Sequence, residues 1–333
     1  MGNSKDPNTI CNEYDQCYEI QMTAVPHDAD HTLFVIGNGF DLMHGVPSSY
    51  WHFRNSIGKK NPLRNALDNY LKVKEWWADF EEALASLDVG MMRNDTTVDM
   101  WLDIFDAYAP NASAADFYMA AEAIMDPVNT ITQELPRRFR MWVESLSVPN
   151  TERPLHGLIT DSKVLCFNYT EFIEDLYGVS HNNVCYIHGC RKKQKGHPKD
   201  LLVLGHRPVW EYEGEIQQEH PSLHNGHKAA LMNAAYEATV AFLSYYDDAT
   251  TKDCTSIIQT HHAFFDSLEE IQNIVVVGHS MSPVDWDYFL EIHHHCPNAR
   301  WYVGYHGAND LQNCKKLMGV LHIGKTNLSV FRI

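Results

Sequence analysis

The sequence predicts an α/β protein built on a Rossmann-like parallel sheet flanked by helices, with a helical insertion. Short, largely apolar runs recur along the chain, and each of them stops at a glycine or a polar residue. Segments with the three-to-four-residue spacing of helices separate several of these runs. Strands that are apolar throughout are typical of a parallel sheet covered on both faces, so the two patterns together predict the fold class.

The predicted strands begin with a run that feeds a glycine turn at Gly37. In chain order they are Thr32–Ile36, Val164–Phe167, Val184–Ile187, Leu201–Leu204, Ile274–Gly278, Trp301–Tyr305 and Leu328–Arg332. Helical spacing predicts helices between several of them, at about 228–246, 256–270, 284–295 and 308–319. This alternation predicts a parallel sheet with helices on both faces.

The stretch 47–150 has no comparable apolar run and shows helical spacing instead, including Trp101–Tyr108 and the amphipathic segment Ile131–Leu146. Trp76 and Trp77 fall at helical spacing with Phe80, which favours core positions over a stacking platform. We therefore predict three regions. They are an N-terminal extension at 1–30, a Rossmann-like nucleotide-binding core at 31–46 and 151–333, and a helical insertion subdomain at 47–150.

The charge balance limits the partners. The formal net charge of −17 repels a phosphate backbone, which makes nucleic acid a poor partner. The densest basic cluster, Arg191–Lys193 with Lys195, is short and is interpreted as a solvated loop. The first thirty residues lack the features of a signal peptide, and no apolar stretch is long enough to span a bilayer. These features predict a cytoplasmic protein without a membrane partner.

The eight cysteines form no CxxC pair, which predicts a reducing compartment with neither disulfides nor a structural zinc site. The histidine-rich stretches lack the HExxH spacing, so no metal site is expected. The segment around Ser280 is not a nucleophile elbow, because Ser282 stands where the second glycine of that motif belongs, and this argues against an esterase.

Glycines and polar residues follow five consecutive predicted strands, at Gly37–Asp41, Asn168–Thr170, His188–Gly189, Gly205–Arg207 and Gly278–Ser280. Ligands of open α/β sheets bind outside the carboxyl ends of the strands, so this convergence predicts a nucleotide pocket. Each segment also has a plain structural interpretation, as a glycine that ends a strand, an Asx-turn or a histidine with its hydrogen bonds satisfied. The full GxGxxG is absent, because Leu42 stands where its third glycine belongs.

Several motifs resemble those of the AbiH family of bacteriophage abortive-infection proteins and occur in the order of that family. They are Phe34–Tyr50, Trp77–Glu81, Phe167–Thr170 with Glu174, Tyr186–Gly189, and Val277–Ser280 with Asp285. The resemblance implies a role in antiviral defence, with a trigger protein from phage or host as a partner. The trigger itself stays open, and so does the oligomeric state, homo-oligomers included.

The motif order is similar, more distantly, to sirtuin-like domains of NAD-hydrolysing antiphage proteins. On that resemblance Asn168 corresponds to the asparagine that holds the nicotinamide ribose, and His188 to the catalytic histidine. Gly37 and Gly39 match the pyrophosphate turn, while Gly278 and Ser280 match a turn on the adenine side. The resemblance implies a sirtuin-like fold with NAD as the substrate.

This sequence departs from the sirtuin-like pattern at two places. Gly-Asn-Gly-Phe-Asp stands where Gly-Ala-Gly-x-Ser is usual, and Thr170 replaces an aspartate. The four-cysteine zinc module of deacetylating sirtuins is missing as well, which argues against protein deacetylation.

Cleavage of the nicotinamide bond of NAD requires an anchored ribose, a base, and fixed dipoles near developing positive charge. We predict His188 as the base, Asn168 as the ribose anchor, and Asp41 as the group that stabilises the cationic sugar or orients the amide. Gly189 behind His188 should turn the backbone so that the imidazole faces the crevice. The predicted nucleotide-binding residues are Gly37, Asn38, Gly39, Phe40, Gly278, His279, Ser280 and Asp285. Two alternatives stay open, a non-catalytic sensor of a nucleotide or ADP-ribose and a toxin-like protein that acts by binding a partner.

Overall fold

A computed structural model of the chain describes residues 18–26, 28–88, 125–149, 152–155, 162–192, 201–208, 241 and 244–333. The chain divides into two units. The first unit comprises residues 1–49, 142–203 and 253–333, and the second comprises 50–141 and 204–252. The segment 204–252, which the sequence assigns to the core, thus falls in the second unit. The helix predicted at Trp101–Tyr108 and most of the one predicted at 228–246 lie outside the described residues.

A seven-stranded sheet lies in the first unit, and all of its neighbouring strands are parallel. The strands are β1 Tyr18–Glu19, β2 Thr32–Ile36, β3 Lys163–Cys166, β4 Val184–Tyr186, β5 Asn273–Val277, β6 Arg300–Tyr305 and β7 Leu328–Arg332. Their spatial order is β1-β7-β6-β5-β2-β3-β4. This arrangement confirms the predicted Rossmann-like parallel sheet. It also adds β1, a two-residue strand within the predicted extension.

The helices alternate with the strands, as the sequence predicts. In chain order they are α1 Asn38–Met43, α2 Tyr50–Ser56, α3 Pro62–Tyr70, α4 Phe80–Leu84, α5 Leu135–Ser145, α6 Phe172–Tyr177, α7 Cys254–Thr260, α8 His262–Asp266, α9 Trp286–His295 and α10 Ala308–Val320. Residues 125–129 and 244–250 are helical as well. No helix among the described residues is both long and apolar enough to cross a membrane.

Local sequence sets several helix ends. The Asn61 side chain accepts a hydrogen bond from the Leu63 backbone N–H at the start of α3. The Asp253 side chain does the same for the Ser256 N–H at the start of α7. Both residues are strong N-caps, because they satisfy backbone donors that the first helical turn leaves unpaired. Gly178 ends α6 in the left-handed region, with φ 69°.

Alternate residues of the strands form one apolar core on one face of the sheet. Leu33 and Val35 of β2 and Ile274 and Val276 of β5 share this core with residues of α9 and α10. Helices α7 and α8 also contribute residues to it, Cys254 from α7 among them. Because β2 lies between two paired neighbours and is buried along its whole length, an apolar run was its clearest sequence pattern.

The predicted strand Leu201–Leu204 is wrong. This segment forms no strand, and Leu201 is 88% exposed. The Val203 backbone N–H donates to the carbonyl of His188, just after β4, at 2.9 Å. A run of four apolar residues forms a buried strand only when the side chains on both of its faces are covered, and none of these four residues is buried.

The second unit places the two tryptophans differently. Trp77 is buried and stacks on Phe80 at 4.7 Å, which confirms its predicted core position. Trp76 is 64% exposed, so its predicted core position is wrong. Their φ values of 61° and 55° lie in the left-handed region, which no helical spacing anticipates.

Candidate functional site

The order of the strands reverses at β2. The chain leaves β2 for β3 and β4 on one side, and then continues on the other side of β2 through β5, β6 and β7. In open α/β sheets the crevice at the carboxyl ends of the strands at such a switch point is where ligands bind. Four of the five predicted polar segments follow β2, β3, β4 and β5 at this edge. The fifth, Gly205–Arg207, lies in the second unit, where His206 pairs with Thr251.

The glycines at the switch point allow two backbones to touch. The Gly39 N–H donates to the Gly278 carbonyl at 2.7 Å. A Cβ atom on Gly39 would lie 2.6 Å from the Gly278 Cα, and one on Gly278 would lie 2.2 Å from the Phe40 nitrogen. A Cβ on Gly37 would meet the His279 Cα at 2.6 Å. Backbone packing between the ends of β2 and β5 therefore explains these glycines, and their predicted contact with a pyrophosphate stays a prediction.

Asp41 lies on α1 and is 2% exposed. Its carboxylate accepts a hydrogen bond from Asn168 Nδ2 and another from Thr170 Oγ1, each at 2.7 Å. Burial raises the pKa of the Asp41 carboxyl from 3.8 to about 7, because the charged form loses its hydration; the two hydrogen bonds and Arg191 offset part of this effect. Asp41 therefore gains or loses a proton near neutral pH, which is the property of a general acid or base.

Asn168 joins the ends of β2 and β3. Its Nδ2 donates to Asp41, whereas its buried Oδ1 has no hydrogen-bond partner among the described residues. A buried amide oxygen of this kind costs free energy until a donor reaches it. Asn168 thus presents an acceptor to any ligand with hydroxyl groups that enters at this edge.

A second polar group forms around Asp285. His279 Nε2 lies 3.3 Å from Asp285 Oδ2, and His188 Nε2 lies 3.8 Å from Oδ1. The Met281 backbone N–H donates to His279 Nδ1 at 2.9 Å, so the hydrogen bonds assign the ring proton of a neutral His279 to Nε2, facing Asp285. Phe167 lies beside both imidazoles, with ring centroids 5.2 Å from His188 and 4.3 Å from His279.

His188 differs from our expectation in one respect. Its side chain is only 3% exposed and packs edge-on against Phe167 and Tyr288. We expected Gly189 to turn the imidazole toward an open crevice. Gly189 does have a left-handed φ of 80°, but the rings of Phe167, directly after β3, and of Tyr288 on α9 enclose the imidazole.

The loop that carries His279 holds strained backbone. Gly278 has φ 67°, and the buried Met281 has φ 53°, a conformation that costs a residue with a side chain free energy. This conformation brings the Met281 N–H back to His279, while the Met281 carbonyl accepts from Trp286 Nε1 at 3.0 Å. Strained backbone of this kind clusters at functional sites.

The remaining predicted residues divide by exposure. Asn38 and Ser280 are exposed, so they can meet a ligand from solvent. Phe40 is buried and packs on His44 and Tyr177, at centroid distances of 4.6 and 5.6 Å. His44 is held on both sides, donating from Nδ1 to the Phe40 carbonyl and accepting at Nε2 from the Tyr177 hydroxyl. Phe40 is therefore part of a packed aromatic group, and its predicted nucleotide contact stays a prediction.

Comparison with known proteins identifies the family. A family model described as "Bacteriophage abortive infection AbiH" matches residues 33–305, which is most of the chain. The chain belongs to the AbiH family. It is accordingly a phage abortive-infection protein, while its likeness to sirtuins is not shown. No curated protein and no solved structure matches it.

The matched segment of this AbiH protein holds every predicted site residue, from Gly37 to Asp285. It also ends with β6, so β7 and β1 lie outside it. Among the described residues no group of three histidine, cysteine or acidic side chains is arranged to hold a metal ion.

Arg191 of the AbiH chain is a residue that the sequence misassigned. Its guanidinium donates to both carboxylate oxygens of Glu171 at 3.0 Å and to the carbonyls of Val143 and Leu146 near the end of α5. The interpretation of Arg191 as part of a solvated loop is therefore wrong. Its four acceptors come from distant parts of the sequence, so no local pattern could have revealed them. Glu171, the ion-pair partner of Arg191, follows Thr170 in the sequence, and the Thr170 hydroxyl donates to the Asp41 carboxylate.

Proposed function

We propose that this AbiH protein binds NAD and hydrolyses its nicotinamide glycosidic bond during phage defence. In the proposed reaction a water oxygen attacks C1′ of the nicotinamide ribose. The C1′–N bond breaks with its electron pair passing to the pyridinium ring, so nicotinamide leaves as a neutral molecule. The water proton passes to His188, and ADP-ribose remains. Asn168 anchors the ribose hydroxyls, and Asp41 stabilises the positive sugar.

The single observation that carries this proposal is the buried group Asp41, Asn168 and Thr170 at the switch point of the sheet. It combines a carboxyl group whose pKa is about 7 with an amide oxygen that lacks a partner among the described residues. The amide oxygen suits a ribose hydroxyl, and the ionised carboxyl suits an oxocarbenium-like sugar. A general base contributes about 10²–10⁴-fold in rate, which is the share assigned to His188.

A non-catalytic nucleotide sensor is the second candidate. The burial of His188 between Phe167 and Tyr288 favours it, because a base must reach the water that it activates. A sensor would use Asn168 to bind ADP-ribose or a related nucleotide and would not cleave it.

Nicotinamide release separates the two functions. Pure protein is incubated with NAD, with and without phage lysate, and nicotinamide is measured by chromatography for the wild type, Asp41→Asn, Asn168→Ala and His188→Gln. We expect release by the wild type and its loss in the three variants. The exposed Asn55→Ala is the matched control and should keep full activity.

Calorimetry with ADP-ribose decides the remaining cases. If no nicotinamide appears under either condition but ADP-ribose binds and Asn168→Ala weakens the binding, the sensor function replaces hydrolysis. If neither nicotinamide release nor nucleotide binding is found, the proposed nucleotide site is wrong.

A further inference from the structure

A cavity lies beside β4, the strand at one end of the sheet, and Asp41, Asn168 and Thr170 are not among its lining residues. Residues of β4, of α7 and α8, and of the segment 201–203 line it, and its volume is about 720 Å³. Cavities that bind small molecules in proteins have volumes of about 300–1,000 Å³. The space is therefore of the right size for a small molecule.

The lining is unusual for a protein of net charge −17. None of the fifteen lining residues, all of which the structure describes, is an aspartate, glutamate, lysine or arginine. Ile187, Val203 and Phe264 give the lining an apolar part, whereas Asn182 and Thr260 add neutral polar groups. A charged ligand would lose part of its hydration here without gaining a carboxylate, ammonium or guanidinium partner from the fifteen lining residues, which costs free energy. The lining thus favours an uncharged ligand.

The free edge of β4 adds hydrogen-bonding groups. The Ile187 N–H donates to the Cys166 carbonyl of β3. Backbone groups of successive residues in a parallel strand point to opposite sides, so those of Val184 and Tyr186 point away from β3. Among the described residues, neither the Val184 carbonyl nor the Tyr186 N–H has a backbone partner on that side. The cavity is thus lined by a strand with one donor and one acceptor to offer.

The imidazole of His261 supplies a further polar group. Its Nδ1 lies 3.4 Å from the Sγ atom of Cys185. Burial raises the pKa of the Cys185 thiol to about 12, so the thiol keeps its proton at neutral pH. Both residues line the cavity.

The cavity also adjoins the backbone of the candidate site. Ile187 and Gly189, which flank His188 in sequence, both line it. Val203 lines it as well, donates its N–H to the His188 carbonyl, and accepts at its own carbonyl from the Tyr169 hydroxyl at 2.7 Å. A ligand in the cavity would therefore touch the same backbone that positions His188.

We propose that this cavity is a second binding site, separate from the nucleotide site, for an uncharged and partly apolar small molecule. The apolar body of the ligand lies against Ile187, Val203 and Phe264. Its hydrogen-bonding end meets the edge of β4. The proposal does not rest on NAD hydrolysis.

Three probes with the same phenyl ring test the preference for an uncharged ligand. They are 2-phenylethanol, which is neutral, phenylacetate, which is an anion, and 2-phenylethylammonium, which is a cation. Dissociation constants are measured for each by ligand-detected NMR titration of the full chain. We expect phenylethanol to bind at least about tenfold more tightly than either charged probe, a ratio that corresponds to about 1.4 kcal/mol.

Two cavity-filling variants locate the binding. Ala263→Trp on α8 and Thr260→Trp on α7 each place an indole in the cavity, and both native residues are exposed, so the fold should tolerate them. Ala308→Trp, at an exposed position on α10 outside the cavity, is the matched control. Either filling variant that keeps the wild-type circular dichroism should weaken phenylethanol binding at least about tenfold, and the control should not. Equal binding of the three probes, no binding of phenylethanol, or full binding to both folded filling variants would each overturn the proposal.

Discussion

Asp41 and Asn168 form the part of the site in which single residues have the clearest physical consequences. Their side chains come from α1 and from the end of β3, and they meet at one hydrogen bond of 2.7 Å. A buried carboxyl group with a pKa near 7 is destabilising when it is charged, and proteins retain such groups where chemistry or binding needs them. Asn168 adds an acceptor to this site, because its Oδ1 has no hydrogen-bond partner among the described residues.

The raised pKa of Asp41 predicts how stability changes with pH. The pKa of about 7 in the folded state exceeds the unfolded value of 3.8, so the folded protein binds the proton more tightly. The stabilisation is fully present below pH 3.8 and is lost as pH rises through about 7. It amounts to a few kcal/mol, since one pKa unit is worth about 1.4 kcal/mol.

Urea unfolding at several pH values between 4 and 8 measures this effect. Asp41→Asn cannot ionise, and its amide oxygen can accept from Asn168 Nδ2 while its amide nitrogen donates to the Thr170 hydroxyl. This variant should therefore lack the decline in the free energy of unfolding that the wild type shows. Asp248→Asn, at an exposed position, should follow the wild type. Parallel curves for the wild type and Asp41→Asn would show that burial does not raise this pKa.

His188 predicts a second effect at the residue scale. Because its ring is enclosed by Phe167 and Tyr288, His188→Ala should leave a cavity and lower the free energy of unfolding by about 2–4 kcal/mol. The exposed His262→Ala should change it by less than about 0.5 kcal/mol. Thermal or urea unfolding measures both. A His188→Ala variant as stable as the wild type would mean that the imidazole is not packed as described.

Secondary-structure elements were predictable wherever both faces of a strand are buried. The apolar runs of β2 and β5 were the clearest, because these strands are buried along nearly their whole length and contain no polar face that could obscure them. The same reasoning failed at Leu201–Leu204, whose apolar residues belong to an irregular segment with one backbone bond to His188. It failed at Trp76, because positive φ values interrupt the helical spacing.

The sequence predicted which residues lie at the candidate site better than it predicted the hydrogen bonds between them. Asp41 and Asn168 follow their strands as expected, since parallel strands bring their carboxyl ends to one edge. Thr170, which the sequence placed in a polar segment without a role of its own, proved to be a direct partner of Asp41. The ion pair of Arg191 with Glu171 depends on tertiary packing that no local spacing encodes.

Adding one methyl group at Gly278, in the turn between β5 and α9, should strongly lower the stability of the fold. Gly278→Ala would adopt an unfavourable φ of 67° and place its Cβ 2.2 Å from the Phe40 nitrogen. The two costs together amount to about 2–5 kcal/mol, so the variant should melt well below the wild type. Gly58→Ala has open space and no positive φ, so its melting temperature should change little. Equal melting temperatures would mean that the ends of β2 and β5 are not in contact.

On the scale of the whole molecule, the family match and the sheet do not have the same limits. The match ends at residue 305, whereas the sheet continues with β7, which pairs with β6 along five residues. Leu328 and Val330 of β7 belong to the same core as β2 and β5. At the other end, β1 adds only a two-residue pairing with β7. The folding unit should therefore extend beyond the matched segment at one end only.

Two truncations test this expectation. A chain that stops at residue 305 loses α10 and β7, and with them Leu328, Val330 and Phe331, each at most 3% exposed. Burial of three such side chains contributes about 5–9 kcal/mol, which is comparable to the whole net stability of a typical domain, about 5–15 kcal/mol. This chain should fail to fold. A chain that lacks residues 1–20 loses β1 and its few bonds to β7, and should melt within a few degrees of the full chain. Circular dichroism and thermal melting measure both, and a folded 1–305 chain would show that β7 is dispensable to the core.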